Sequence, residues 1–508
     1  MLIDDSFISF RYAKNLVDGH GLTFNIDERV EGYSNFLWVM LLAFGYKLGI
    51  QPEIFFLFLA IPIYIAVLVF SYLLALKVTK SRTYSLITML LVGFNHSIAC
   101  FAASGMETPL QMLEFLVVGY IIYDATCKGW NLKRTLSLSI ILNLALLTRP
   151  DSILLAGCSA IAWYHSNNKR KRIDYAAFLL PFVVIVLPWL IWKYNFYGSI
   201  FPNSYNVKVR GLSGVGFGFY YFYLFVIYYA LAPFMALVIW RWRSLYRIDR
   251  GAAYIALFSL VWLLYVIWVG GDFMEFRFMA PIIPFIIIIV LRSQLVFITD
   301  KWIVMALTFA LCVGTANNFS FISKIFYIYR VERVEKLNAH IYAPDENWDG
   351  IGRKLGELFK GTDVTLGLGA AGVIPYYSGL KSIDFMGLTD KNVPFIGETF
   401  SSMPGHRIIA PLEYMVNSGV NLVVQPIRMV LNQEEFMSWR RQLSWNAVYA
   451  FFLDVDKPVN GLFINEVFLL VIPLKNGYSL VVWYLGQNDA IDRAIDEHNL
   501  MRIKLTRR

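Results

Sequence analysis

The sequence predicts a polytopic α-helical membrane protein with a C-terminal α/β domain, and three observations predict it. Hydrophobic residues make up 57% of 508 and charged residues only 16%, whereas a soluble domain carries roughly a quarter charged. Ten apolar runs approach or reach a membrane span, which takes roughly 20 residues of helix. Beyond about residue 324 the composition turns to short strand-like runs and amphipathic stretches.

Taken in order, the chain opens with "MLIDDSFISFRYAKNL", where Asp4 and Asp5 are adjacent carboxylates, and a polar stretch continues to residue 33. "SNFLWVMLLAFGYKLG" (34–49) is short for a span and bears Trp38 and Tyr46, so an interfacial helix is expected there. The ten runs follow at about 54–78, 84–103, 107–123, 135–148, 151–164, 174–193, 217–240, 252–269, 276–291 and 301–319. The fourth and fifth are separated only by "TRPD" and read as two short or dipping helices meeting at Pro150.

The connections decide orientation. Those holding Lys77, Lys80 and Arg82, Lys128, Lys133 and Arg134, Lys169 to Arg172, Arg241 to Arg250, and Arg292 and Lys301 are basic and fall on one side by strict alternation. That side is expected to be cytoplasmic. The opposite connections hold Glu107, Arg149, Asp151, Asn203, Lys208, Asp272, Glu275 and Arg277, which places any chemistry outside the cytoplasm.

In the C-terminal region, "TDVTLGLGAAGVIPYYSGLKSIDFMG" reads as strand, Gly/Ala turn, helix or loop, strand. "EVFLLVIPLKNGYSLVVWYLG" reads as two strands around Asn476-Gly477, a strong hairpin signal. The expected division is therefore 1–33 as a first outer loop, 34–323 as the membrane domain and 324–508 as an outer α/β domain. The expected location is a membrane, crossed many times.

Several classes are excluded or weakened. The formal net charge of +9 comes from basic residues scattered between apolar runs, so no nucleic-acid partner is expected. Cys100, Cys127, Cys158 and Cys312 show no CxxC spacing, which argues against a zinc site or a disulfide framework. "GLGAAGVIPYY" has a Gly-rich turn but no GxGxxG, so a dinucleotide site is not expected.

The polar outer residues carry alternatives. Asp4 and Asp5 are helix caps, part of a hard-cation site, for which a divalent cation is the candidate, or a general base. Arg149 is an intramembrane cation of the kind that marks function and whose guanidinium matches phosphate; an ion pair with Asp151 or Glu107 is the plain account. Asp272 and Arg277 in "GGDFMEFRF" divide likewise between a site and a salt bridge. Asn203, Asn206 and Lys208 in "FPNSYNVKV" suit sugar hydroxyls or phosphate, or form a solvated loop.

Together "DDSFISFRYAKNLVDGHGLTFN", "ERVEGYSNFLWV", "SGMETPL", "LLTRPDSILL", "FPNSYNVKV", "GGDFMEFRFMAPIIP", "GAAGVIPYYSG", "IDFMGLTD" and "PGHR" resemble, in order, the terminal arabinofuranosyltransferases of actinobacterial cell walls and their wider relatives, members of the GT-C class of membrane glycosyltransferases. The resemblance implies a GT-C fold and transfer of a sugar, with a pentose such as arabinofuranose a candidate, from a polyprenyl-phosphate donor to an envelope glycan or lipid acceptor. It makes Asp4 and Asp5 the acidic motif, Asp4 being preferred as base. It makes Arg149, with Lys208 or Arg277, the holder of the donor phosphate. Arg11, Glu31, Glu107, Asp151, Asn203 and Asp272 become candidates for substrate contact, and 34–49 matches the jaw-like interfacial helix of that class. Family members place the acidic pair after a first transmembrane helix, so one further span is expected upstream of Met1. A transporter or lipid flippase is the competing expectation, although no inverted repeat is visible.

Overall fold

The computed structural model describes residues 1–168, 171–208, 214–298, 300–316, 331–399, 401, 403, 405–425, 429–445, 456–460, 462 and 464–507. They form two compact units. One comprises Ser34–Ile200 and Val209–Val334, the other Leu2–Tyr33, Phe201–Lys208 and Glu335–Arg508.

The first unit is helical. All ten apolar runs fall on helices where they are described, but among the described residues only five helices are long and apolar enough to cross a membrane: Pro52–Thr79, Thr108–Lys128, Arg172–Tyr197, Arg250–Val269 and Ala280–Phe297. The number rises to seven if each of two bent pairs is one span, Arg82–Gly93 with His96–Ala102 at 60° and Val215–Tyr228 with Ala232–Trp240 at 101°. The short pair expected around Pro150 is present as Leu132–Thr148 and Ile153–Ser166, joined by a single 3-10 turn at Pro150–Ser152. The segment expected to lie at the interface forms a helix over Phe36–Lys47.

Loop residues start these helices by accepting orphan N–H groups. The side chains of Asn95, Asn131 and Asp249 accept from Ile98, Arg134 and Ala252 at 3.0, 2.9 and 3.0 Å. Burial then separates inner from outer helices. In Arg250–Val269 and Ala280–Phe297, 61% and 72% of the apolar window is buried, against 22% and 17% in Pro52–Thr79 and Arg172–Tyr197. The latter two present Phe58, Ile61, Ile65, Val183, Val184 and Ile191 outward. An apolar exterior around a packed interior suits lipid as solvent.

The second unit is built on a mixed sheet. Its strands are β1 (Thr365–Leu368), β2 (Lys381–Asp384), β5 (Leu422–Val424), β6 (Val430–Asn432), β7 (Glu466–Pro473), β8 (Tyr478–Tyr484) and β9 (Met501–Thr506); β3 (Glu398–Thr399) and β4 (Ile408–Ile409) pair separately. The order is β2-β1-β5-β8-β7-β9, with β6 also on β8. β1 runs parallel to β2 and β5, and the other pairs are antiparallel. The expected strand, helix, strand passage is β1, Val373–Ser378, β2, and the expected hairpin is β7 and β8 around Lys475–Gly477.

Residues 2–33, the expected first outer loop, belong to this unit. Helix Asp4–Val17 packs on Val373–Ser378, with the Phe7 ring 5.3 Å from Tyr376 and 5.7 Å from Tyr377. Arg11 locks the pair. Its guanidinium lies 4.5 Å over the Phe24 ring and donates to the carbonyls of Phe24 at 2.7 Å, Leu380 at 2.9 Å and Pro375. Carbonyl oxygens from three segments thus solvate a buried cation.

Candidate functional site

Each unit holds one cluster of the residues that the sequence singles out. In the membrane unit it is assembled by Pro150. The residue before a proline is driven out of the α region, so helix Leu132–Thr148 stops and Arg149 is extended at φ −154°, ψ 130°. From there the guanidinium donates to Glu107 Oε1 at 2.7 Å and to Asp151 Oδ2 at 2.8 Å. Asn35 Nδ2 donates to Glu107 Oε2 and Gln111 Nε2 to Asp151 Oδ1, both at 2.8 Å. Every oxygen of the two carboxylates therefore accepts a hydrogen bond, and the pair holds an arginine rather than the six or more oxygens a calcium ion takes.

The second half of the cluster comes from the turn after Arg250–Val269. Gly270 and Gly271 take φ of +91° and +67°, and a Cβ on Gly271 would meet Tyr221 Cβ at 2.8 Å, so glycine is needed there for space as well as conformation. Phe276 follows at φ +42°, an outlier for a bulky side chain, with its ring held 5.7, 5.5 and 5.7 Å from those of Tyr221, Phe225 and Tyr229. That turn buries Asp272 and Arg277 as an ion pair at 2.5 Å. Arg149 and Arg277 lie over the same ring, Phe278, at 5.3 and 5.1 Å. The structure thus brings Arg149, Arg277, Glu107, Asp151 and Asp272 together, and the two plain ion-pair accounts are the arrangements seen.

The cluster of the other unit centres on Asp4. Asp4 and Asp5 stand in the first turn of helix Asp4–Val17, and the N-cap is Ile3, with no side-chain cap. The Asp4 carboxylate reaches another segment instead: Oδ2 accepts from Gly372 N–H at 3.1 Å and Oδ1 from Val373 N–H at 2.8 Å. Burial pushes this carboxyl up to about 7 against those two donors, with Asp5 adding to the rise. A carboxyl poised there can exchange a proton near neutral pH.

The remaining candidates are placed as follows. Asn203 Nδ2 donates to the carbonyls of Gly387, Leu388 and Asp390 at 2.8, 3.2 and 2.7 Å, and its N–H donates to Glu31 O at 2.9 Å. It ties helix Asn203–Lys208 to the "IDFMGLTD" turn, where Asp384 and Asp390 accept the N–H groups of Thr389 and Val393, each at 2.9 Å. Asn203→Ala is expected to lower the stability of this unit by about 1–3 kcal/mol, read as a drop in thermal midpoint; an unchanged midpoint would mean the amide ties nothing. Glu31 is buried. The side chain of Lys208 lies outside the described residues.

Sequence reasoning missed two groups, and it placed a third, Glu275, in an outer connection without giving it a role. Lys193 is 1% exposed within Arg172–Tyr197, its Nζ 4.9 Å over the Trp189 ring. Glu114 is buried within Thr108–Lys128 and accepts from Thr148 Oγ1 at 2.7 Å. Glu275 is fully buried and accepts from Ser97 Oγ at 2.7 Å. An ionisable residue inside or beside an apolar run is the signal that could have found each.

No protein-family model matches the chain. Among characterised proteins it is 25% identical over 319 residues to a terminal β-(1→2)-arabinofuranosyltransferase of Corynebacterium glutamicum, covering 54% of this chain and 45% of that protein. It is 25% identical over 228 residues to the enzyme of the same name from Mycobacterium tuberculosis, covering 41% and 35%. These matches span less than half the length of either relative. Among solved structures, ArnT from Cupriavidus metallidurans bound to undecaprenyl phosphate superposes over 96% of this chain and 94% of its own with TM-score 0.53 at 11% identity. The apo form gives TM-score 0.50, also at 11% identity, over 96% and 95%. The chain has the ArnT fold, a GT-C fold, and the resemblance drawn from its motifs holds.

Proposed function

We propose that this chain is a GT-C glycosyltransferase of a bacterial inner membrane. It takes a sugar from a polyprenyl-phosphate donor and passes it to an envelope glycan or lipid acceptor on the extracytoplasmic face. The observation that carries this is the fold shared with ArnT across 96% of the chain, in a sequence otherwise similar to arabinofuranosyltransferases. An arabinofuranosyl donor is the first candidate on the same grounds. A transporter or flippase is not favoured, since both characterised relatives are named as transferases.

The chemistry asks little of the protein beyond three tasks: placing the acceptor, stabilising charge on the departing phosphate, and removing one proton. Arg149, with Arg277 beside the same aromatic ring, supplies a guanidinium fork for phosphate, which would compete with Glu107 and Asp151 for its donors. Asp4 or Asp5 takes the acceptor hydroxyl proton as the bond to the anomeric carbon forms and the bond to phosphate breaks.

The test is transfer of radiolabelled sugar to envelope acceptors in membranes holding the full-length protein, with polyprenyl-phosphate-linked and nucleotide-linked donors in parallel. Transfer from the lipid-linked donor alone is the expected result. Failure with every donor, together with movement of a lipid-linked sugar across sealed vesicles, would replace this proposal with transport.

A further inference from the structure

The Gly-rich turn in "GLGAAGVIPYY" touches the candidate base directly. Its two successive backbone N–H groups, from Gly372 and Val373, each take one oxygen of Asp4 at 3.1 and 2.8 Å. The approach is so close that a Cβ on Gly372 would stand 2.0 Å from the Asp4 carbonyl oxygen and 2.7 Å from its Cγ. Only glycine fits, and the contact joins residues 368 positions apart. Asp4 is already held by its place in the first turn of Asp4–Val17, whose Phe7 packs on Tyr376 and Tyr377 beyond the turn.

We propose that Gly372 and Val373 are positioning residues for Asp4: their N–H pair fixes the carboxylate's orientation and favours its ionised form, leaving its other lone pairs for the acceptor proton. This rests on the assignment of Asp4 as base. A carboxylate has about four acceptor positions, so two backbone donors hold it without exhausting it. The other titratable groups acting on Asp4 are Asp5, on its own helix, and His340, from helix Val334–Tyr342, whose Nδ1 is paired with Glu346. Segment Val373–Ser378 adds only the phenols of Tyr376 and Tyr377. With burial opposing ionisation, the two N–H groups are the main favourable contacts of the anion.

Val373→Pro removes the N–H to Oδ1 at the first position of a helix, where proline is tolerated. Val373→Ala keeps the N–H and removes only packing. The measurement is the pH dependence of kcat/KM for transfer. Val373→Pro is expected to move the acidic limb up by about 1–2 pH units, with the rate recovering at high pH, while Val373→Ala leaves the midpoint in place. An equal loss at every pH in Val373→Pro, or an unmoved midpoint, would overturn the proposal. If Val373→Pro does not accumulate in membranes, Gly372→Ala carries the same test, because its Cβ displaces Asp4. Asp4→Asn separates the two levels of the claim. Persistent transfer in Asp4→Asn removes the base itself, whereas an inactive Asp4→Asn with an unshifted Val373→Pro profile removes only the positioning role.

Discussion

Asp4→Asn is expected to reduce sugar transfer by about 10²–10⁴-fold, the usual contribution of a positioned general base, while leaving donor binding unchanged. The carboxylate lies in the first turn of helix Asp4–Val17, and among the described residues it faces the backbone donors of Gly372 and Val373 rather than an arginine or lysine. Its upward shift to about 7 from 3.8 gives a second expectation. Because the ionised form is the base, kcat/KM should rise with pH through about 7. Stability runs the other way. Between the two values the folded state binds the proton that the unfolded state has lost, so folding stability is fully present below 3.8 and falls as pH rises through about 7. Thermal unfolding against pH would show this slope in the wild type and its loss in Asp4→Asn. Asp5→Asn serves as the companion: if it alone abolishes transfer, the base is Asp5 and Asp4 only orients the helix.

Arg149→Ala carries the second large effect, and on two observables. Breaking a buried ion pair from one side leaves Glu107 and Asp151 as uncompensated buried charge, which costs about 3–5 kcal/mol. Detergent-solubilised protein should therefore unfold at lower temperature. If Arg149 also receives the donor phosphate, affinity for the lipid-linked donor should fall about 10–100-fold, as expected for loss of hydrogen bonds to a charged group. Arg149→Lys distinguishes the roles: it restores a cation between the carboxylates but not a planar fork, so stability should recover more than donor affinity. Lower stability with unchanged donor affinity would reduce Arg149 to a tie between helices.

Much of the architecture was legible because its signals are local. Apolar runs, the break at Pro150 and the Asn476-Gly477 hairpin are each decided by neighbours a few positions away, and each lies where the sequence puts it. Span number was less legible. Apolarity does not encode the bends between Gly93 and His96 or between Tyr228 and Ala232, and a bent pair shortens what composition counts as one crossing. The candidate site was legible in residue type and not in partner. "LLTRPDS" marks Arg149 as unusual, but that Glu107, Asn35 and Gln111 complete its surroundings depends on contacts over 40 residues or more. Asn203 and Arg11 show the same gap between type and partner. Polar residues with the chemistry to bind sugar instead donate to backbone carbonyls of their own chain, and no spacing distinguishes a carbonyl of the protein from a hydroxyl of a ligand. The same holds for Asp4, whose partners lie more than three hundred and sixty residues downstream.

That last separation bears on how the protein is made. Helix Asp4–Val17 leaves the ribosome early, but Gly372, Val373 and Tyr376, against which it packs, are synthesised 368 or more residues later, a delay of roughly 20–70 s at ordinary translation rates. Throughout that interval Phe7 and Phe10 lack Tyr376, and the Arg11 cation lacks the carbonyls of Pro375 and Leu380. A chain that ends before residue 372 would carry its acidic segment without the two backbone donors that hold Asp4 in place.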